Sequence, residues 1–281
     1  MIPKKYLLIT AADKAVEPFL ISHWVRSFLD TNNTKRIDIA VLDYGLSHKA
    51  RHILTAKNIR RIPCIKDGHV VNIRLRDTAE FLRVHGKTYD QVMHADCGDI
   101  IFQNDISPAF LIYPESIRIT SQHMPIDVIY FFSRGSFRRE YYYRILKVIF
   151  GKPVLNAGVI VGPIELMQSV FNEAYSLIQN ISNFLPDQMA INYILHRDGY
   201  GALPEEFNYM KLFSFKRITV IHGTIFCNGK PIPVVHNCGW RKPFRAFKNF
   251  GYGKECNLPN QPVWAYTEVK AALQRTISLL P

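Results

Sequence analysis

The residue types able to do chemistry gather in four short islands in a fixed order. They are His94-Ala-Asp96-Cys-Gly-Asp99, Leu155-Asn156-Ala157-Gly158-Val159, Pro186-Asp187-Gln188-Met-Ala-Ile-Asn192 and Val235-His236-Asn-Cys-Gly239-Trp-Arg-Lys242-Pro243. Two carboxylates ending an apolar run, a distant imidazole and a lysine near a glycine are what a metal-bound diphosphate requires. A divalent cation takes hard oxygen ligands and leaves positions open for phosphate. A neutral imidazole can complete such a set, as with manganese. Lys242 could set an ammonium on a diphosphate, with Gly239 permitting close backbone approach. Each island also has a plainer reading. Asp-x-Gly-Asp is common turn chemistry, a histidine leaving a strand often serves as a hydrogen bonder, and a lysine on a basic chain is usually solvated. Asp187 can cap a helix. Asn156 and Gly158 can mark a strand kink, or a polar group and a bare backbone patch against a sugar ring.

The elements that must position these islands read as alternating strands and helices. Tyr6–Thr10 is a short apolar run ending in Ala11, Ala12, Asp13 and Lys14. Glu17 to Asp30 is amphipathic at helical spacing. Ile37–Leu42 is a second strand closed by Asp43-Tyr44-Gly45, and Ser47 is placed to cap a helix running to Lys57. Ile62–Ile65 reads as a third strand and Asp77–His85 as helical. Tyr89–Ala95 is a fourth strand that carries the carboxylate pair at its C-terminal end. Beyond it, Ile126–Phe132 is strand-like, Phe137–Phe150 a basic and aromatic helix, and Val154–Val161 a further strand. Helices are expected over Ile164–Gln179 and Asp187–His196. Ile218–Ile221 and Pro233–Val235 flank an Asn228-Gly229 turn, which reads as a hairpin. Strand–helix alternation with short links means an α/β sheet, mixed but mostly parallel and flanked by helices. In such sheets ligands bind beyond the carboxyl ends of the strands, where Thr10–Lys14, Asp43–Gly45 and Asp96–Asp99 all fall.

At 281 residues, with 48% hydrophobic and 21% charged side chains, the chain can bury a sizeable core and is not disordered. A net charge of +12 implies anionic partners without choosing among phosphorylated substrates, nucleic acid and acidic membranes. Five scattered cysteines without CxxC spacing argue against a disulfide framework and for a reducing compartment. The first residues lack the apolar core of a signal peptide, and no run of about 18 apolar residues is present. These features together lead us to expect a cytoplasmic protein.

The ordered series of strand-ending Asp pair, Asn-Ala-Gly, Asp-Gln-x-x-x-Asn and His-x-x-Gly-x-x-Lys-Pro resembles the GT-A-fold glycosyltransferases. Family 8, which includes glycogenin and bacterial lipooligosaccharide galactosyltransferases, is the most similar. The resemblance runs from Tyr6 to Phe244. It implies a single Rossmann-like GT-A domain over residues 1–245, with residues 246–281 as a basic and aromatic extension packed on or near it. It further implies a Mn²⁺- or Mg²⁺-dependent, retaining transfer of a sugar from a nucleotide diphosphate-sugar to a glycan or lipid-linked acceptor, in cell-surface polysaccharide or lipopolysaccharide synthesis. By position, Asp96, Asp99 and His236 resemble the metal ligands, and Gly239 and Lys242 the diphosphate contacts. Thr10, Ala11 and Asp13 match the nucleotide-binding strand end. Asn156, Ala157 and Gly158 match the sugar and acceptor side, and Asp187 and Gln188 the groups nearest the reaction. Two departures stand out. Asp96-Cys-Gly-Asp99 is one residue longer than Asp-x-Asp, and no aromatic follows Asp13 to stack on a base, which leaves Tyr44 as the substitute.

Rival readings are a nucleotidyltransferase or pyrophosphorylase and a basic non-catalytic protein that binds nucleic acid or a membrane. The first usually carries a Gly-rich basic loop after strand one, which Ala11-Ala12-Asp13 is not. Arg134–Phe150 and Trp240–Lys254 mix cations with aromatics, either as snorkelling side chains over a core or as a peripheral contact with the anionic inner face of a membrane. No nucleic-acid motif accompanies them, so nucleic acid is not expected as a partner.

Overall fold

The computed structural model describes residues 5–239 and 242–277. Its frame is a seven-stranded sheet built from β1 (Tyr6–Ala12), β2 (Ile37–Asp43), β3 (Arg60–Pro63), β4 (Gln91–Ala95), β6 (Arg118–Pro125), β7 (Pro153–Pro163) and β8 (Gly201–Ala202). The order across the sheet is β3-β2-β1-β4-β7-β6-β8. The pairs β3/β2, β2/β1, β1/β4 and β6/β8 are parallel, while β7 runs antiparallel to both β4 and β6. The sheet is therefore mixed and mostly parallel, as expected.

Alternation along β1 explains its place inside the sheet, covered on both faces. Leu7, Ile9 and Ala11 enter one core, while Tyr6, Leu8 and Ala12 enter the other. The first core is closed by α4 (Val70–His85), α6 (Arg139–Ile149), α7 (Ile164–Leu177) and α8 (Pro186–Asp198). The second is closed by a helical stretch from Glu17 to Thr31 and by α3 (His48–Ala56). That stretch joins α1 (Glu17–Phe19) to α2 (Arg26–Thr31) through a π-helical segment, Leu20–Val25, which buries Trp24. Ser47 caps α3, its hydroxyl accepting from the Ala50 N–H at 3.2 Å.

Three sequence expectations change. The helix expected from Asp77 starts seven residues earlier, at Val70. Its first turns bury the polar residues Asn72 and Arg74, which break the apolar pattern that marks a buried helix face. The strand-like run Ile126–Phe132 is a helix, α5 (Asp127–Ser133). Ile126 is buried with Ile129 and Tyr130 half-buried, a helical i, i+3, i+4 spacing, while Phe131 and Phe132 face out. The expected hairpin partner is also different. β10 (Thr224–Cys227) pairs with β9 (Thr219–Ile221) and, across Asn228-Gly229, with β11 (Lys230–Pro231). The strand after it, β12 (Val234–His236), leaves to pair antiparallel with β5 (Ile100–Phe102). A third core of Ile101, Tyr209, Ile225, Ile232, Val235, Ala246, Phe247 and Val263 lies beneath this ribbon. Its Val263 comes from α9 (Gln261–Ile277).

Candidate active site

The carboxylate pair sits where β4 ends. The Asp96 N–H extends the ladder by donating to the Gly158 carbonyl at 2.8 Å, and the Trp24 indole donates to the Asp96 carbonyl at 3.0 Å. Gly98 (φ +106°) turns the chain between the two acids, a conformation glycine adopts without penalty. Asp99 then leads into β5. The β5/β12 register sets His236 opposite Ile100, and the Asn237 N–H donates to the Asp99 carbonyl at 2.8 Å. One strand pairing thus delivers a histidine from the far end of the chain to the acidic turn. One ligand atom from each of Asp96, Asp99 and His236 lies within 4.8 Å of the others, a grouping that could hold a metal ion.

A chain of hydrogen bonds fixes the state of the imidazole. The Gly158 N–H, which can only donate, bonds at 3.0 Å to the Asn156 side chain and so identifies its near atom as Oδ1. That oxygen also accepts from Asn208 Nδ2 at 3.0 Å, so Asn208 turns its own oxygen to His236 Nδ1, again at 3.0 Å. Nδ1 must therefore carry the hydrogen. A neutral His236 then presents the lone pair of Nε2 to Asp99 Oδ1, 3.6 Å away. Two acceptors facing each other repel, and the arrangement is satisfied by a proton or a metal cation between them. The donor set of two carboxylates and one imidazole suits a divalent ion such as Mn²⁺ or Mg²⁺.

Cations surround the acids. Buried Arg74, on α4, forks between Asp96 and Asp187, reaching the latter at 3.2 Å, while Arg245 reaches Asp99 Oδ2 at 3.4 Å. Burial pushes the Asp96 carboxyl up, opposed by Arg74 and reinforced by Asp99. Burial also raises Asp99, but His236 and Arg245 outweigh it and the net movement is down. Burial raises Asp187 to about 6 despite Arg74. The three carboxyls are thus shifted in different directions, as at sites that must manage charge.

The Asp187 island works on the backbone of β7. β4 stops opposite Val159, so the β7 edge before that point has no strand neighbour. α8 supplies side chains instead. Asn192 Oδ1 accepts from the Leu155 N–H at 2.7 Å, and its Nδ2 donates to the Leu155 carbonyl at 2.8 Å. Gln188 Oε1 accepts from the Ala157 N–H at 3.0 Å, and Gln188 Nε2 also donates to the Leu155 carbonyl. Asn156, Ala157 and Gly158 lie in an irregular stretch of the β6/β7 ladder. Gly158 has no space for a side chain: a Cβ would stand 2.4 Å from His236 Cε1.

The structure therefore joins Asp96, Asp99, Asn156, Ala157, Gly158, Asp187, Gln188 and His236 through direct contacts or a single intermediary. It places the others as follows. Thr10, Ala11 and Asp13 end β1. Thr10 is buried with no partner for its hydroxyl among the described residues, and Asp13 pairs with Lys66 at 2.8 Å. Tyr44 is buried, its hydroxyl donated to Asp77 at 2.6 Å, so its ring presents no open face for stacking. Gly239 packs next to Arg245. The Lys242 side chain, with Trp240 and Arg241, lies outside the described residues. Sequence reasoning missed Arg74, Asn208 and Arg245. None sits in a motif, and the one available signal was a charged residue, Arg74, among the apolar residues Val70, Val71, Ile73 and Leu75.

No family model matches the chain, and no curated protein matches it either. Solved structures do. WbbM, a bifunctional glycosyltransferase in its apo form, superposes with a TM-score of 0.57 at 15% identity, covering 98% of this chain. This chain spans only 52% of WbbM. The galactosyltransferase LgtC, solved with donor and acceptor sugar analogues, gives a TM-score of 0.55 at 17% identity and covers 95% of each chain. The glycosyltransferase GlyE of Streptococcus pneumoniae TIGR4 gives 0.54 at 16%, over 98% of this chain and 64% of GlyE. The seven-stranded sheet and its flanking helices are the GT-A fold of these glycosyltransferases.

Proposed function

We propose that the protein is a metal-dependent glycosyltransferase that moves a sugar from a nucleoside diphosphate-sugar to a glycan or lipid-linked acceptor. One observation carries the reading. At the carboxyl end of β4 in a GT-A fold, His236 Nε2 and Asp99 Oδ1 face each other at 3.6 Å with Asp96 beside them. A divalent cation held by these three groups would neutralise charge gathering on the leaving diphosphate. Lys242 and Gly239 are assigned to the same diphosphate, and Thr10, Ala11 and Asp13 to the nucleoside. Asn156, Ala157 and Gly158 line the sugar side, where Asp187 and Gln188 stand nearest to the reacting carbon.

In the transfer, the acceptor oxygen bonds to the anomeric carbon as the bond from that carbon to the phosphate oxygen breaks. With retention, attack comes from the leaving-group face, and the released phosphate oxygen takes the acceptor proton. Asp187 and Gln188 orient the sugar and form no lasting covalent adduct. We assign the product to cell-surface polysaccharide or lipopolysaccharide synthesis.

A panel of nucleotide-sugars with candidate acceptors, scored by nucleoside diphosphate release with Mn²⁺, Mg²⁺ or EDTA, tests the reading. One donor should respond, EDTA should abolish its turnover, and the new glycosidic bond should keep the donor anomeric configuration by NMR. Asp99→Ala should lower turnover by at least about a hundredfold. Normal turnover by Asp99→Ala would sink the metal assignment, and silence of every donor would remove the transferase reading.

A further inference from the structure

The helical pair α5–α6 carries a face that the transfer reaction does not use. α6 anchors in the first core by Ile145 and Ile149, with Tyr141, Tyr142 and Val148 partly buried against it. The Tyr130 hydroxyl of α5 donates to the Tyr142 carbonyl at 3.0 Å and ties the two helices together. The outer face is different. Arg139, Tyr143 and Lys147 follow one another at i, i+4 and i+8, a single stripe along α6, and exposed Phe150 stands at its C-cap. Glu140 and Arg144 are exposed on the same helix, and Phe131, Phe132, Arg134 and Arg138 are exposed in the residues that lead into it.

Four large rings on this face lie open: Phe131 63%, Phe132 69%, Tyr143 80% and Phe150 73% exposed. Five exposed cations accompany them along the same two helices, Arg134, Arg138, Arg139, Arg144 and Lys147, with Glu140 as the exposed acid among the described residues there. No ion pair among the described residues engages any of the five. Arg134 instead lies over the Phe131 ring, 4.9 Å from its centre. Both α5 and α6 pack on α8, the helix that carries Asp187.

Each half of this pattern has a physical cost. Unpaired like charges on one short surface repel, and exposed phenyl rings order water around apolar area. A surface carrying fixed negative charge above an apolar layer removes both costs together. The cations meet the charged headgroups, while the rings settle at the boundary where aromatic side chains concentrate. A single nucleic-acid strand would also meet cations and stack on rings. No recognisable nucleic-acid motif accompanies these residues, however, and three of the four open rings are wholly hydrocarbon.

We infer that the α5–α6 face docks the protein on an anionic lipid bilayer, through headgroup phosphate and carboxylate. No described helix is long and apolar enough to cross a membrane. The inference does not depend on the transfer reaction, because vesicle binding is read without donor or acceptor.

The test is co-flotation of the full chain with vesicles of phosphatidylglycerol and phosphatidylcholine, against phosphatidylcholine alone. The wild type should float with the anionic vesicles at low salt and be released as salt rises. Arg138→Gln/Arg139→Gln/Arg144→Gln should weaken partitioning roughly a hundredfold, and Phe131→Ser/Phe132→Ser about tenfold. Lys35→Gln/Lys49→Gln/Lys57→Gln removes the same charge from other exposed positions and should change it little. Circular dichroism and turnover on a soluble acceptor confirm that each variant is folded. Absence of flotation at low salt overturns the inference. So does equal loss in the control variant, which would make the effect one of total charge. Binding of single-stranded RNA that the α5–α6 variants abolish, without vesicle binding, would reassign the face to nucleic acid. Concentration-dependent dimerisation abolished by the same variants, again without vesicle binding, would reassign it to a second copy of the chain.

Discussion

Asn208 Oδ1 lies 3.0 Å from His236 Nδ1, and this contact decides which nitrogen of the imidazole is free. The chain of donors behind it begins at a backbone N–H, so its polarity is set by the main chain and cannot reverse. Groups that orient a ligating histidine commonly matter about 10- to 100-fold for metal affinity. Asn208→Ala should weaken Mn²⁺ binding by about that factor, measured by titration calorimetry or by the EPR signal of free Mn²⁺. Its fold should persist. Unchanged affinity would show that the relay does not govern the ligand.

Gly158 leaves room for this ring. A methyl group there would stand 2.4 Å from His236 Cε1 and 2.8 Å from Asn156 Oδ1, inside any real contact distance. Gly158→Ala should cost about 1–3 kcal/mol in urea unfolding, the usual range for overpacking. Because the displaced atoms belong to the relay, Mn²⁺ affinity should fall with it. Stability and affinity both at wild-type levels would mean that the backbone shifts freely at this point.

Asp187 gives the protein a particular pH dependence. Burial holds its carboxyl near 6, against 3.8 as the ordinary value. Between those values the folded protein keeps a proton that the unfolded chain releases. The contribution is therefore full below pH 3.8 and is lost as pH rises through about 6. Asp187→Asn removes that titration. The melting temperature of the wild type minus that of the variant should fall from about pH 4 to about pH 6 and stay level above. A difference that rose over this window would contradict the assignment.

Asn192 stands in for a strand. It satisfies both backbone groups of Leu155 where β4 has already ended. Asn192→Leu keeps the volume but leaves the Leu155 N–H buried without a partner, at a cost of about 2 kcal/mol. Chemical denaturation measures it, and a loss below about 0.5 kcal/mol would show that water or Gln188 replaces the amide.

The sheet and the acidic turn were legible because they follow from local rules. Apolar runs of strand length alternate with amphipathic stretches, and the Asp pair stands where one run ends. The site's supporting residues follow from pairings that no local rule encodes. His236 reaches Asp99 only through the β5/β12 register, and Asn208 comes with it because Tyr209 hydrogen-bonds along β12. Arg74 was hidden for a different reason. Buried charge breaks the periodicity by which a helix is recognised, so the residue that neutralises Asp96 and Asp187 also disguised the start of its own helix. The run Ile126–Phe132 misled because its outward rings are as apolar as its inward ones, and the pattern then shows no period at all.

The π-helical segment Leu20–Val25 has a bearing on chain length. Glu17, before it, accepts from the Ser47 N–H and hydroxyl, both at 2.6 Å. Trp24, within it, holds the Asp96 carbonyl. Each residue of a helix turns the next by about 100°, and the wider turn here absorbs the phase difference between those two grips. Removing exposed Ser22 would restore a regular helix and bring the two halves into step. One of the two contacts would then have to let go, either the one that seats α3 or the one that seats the acidic turn. The site would thus be intolerant of losing one residue more than 70 positions upstream of its carboxylates.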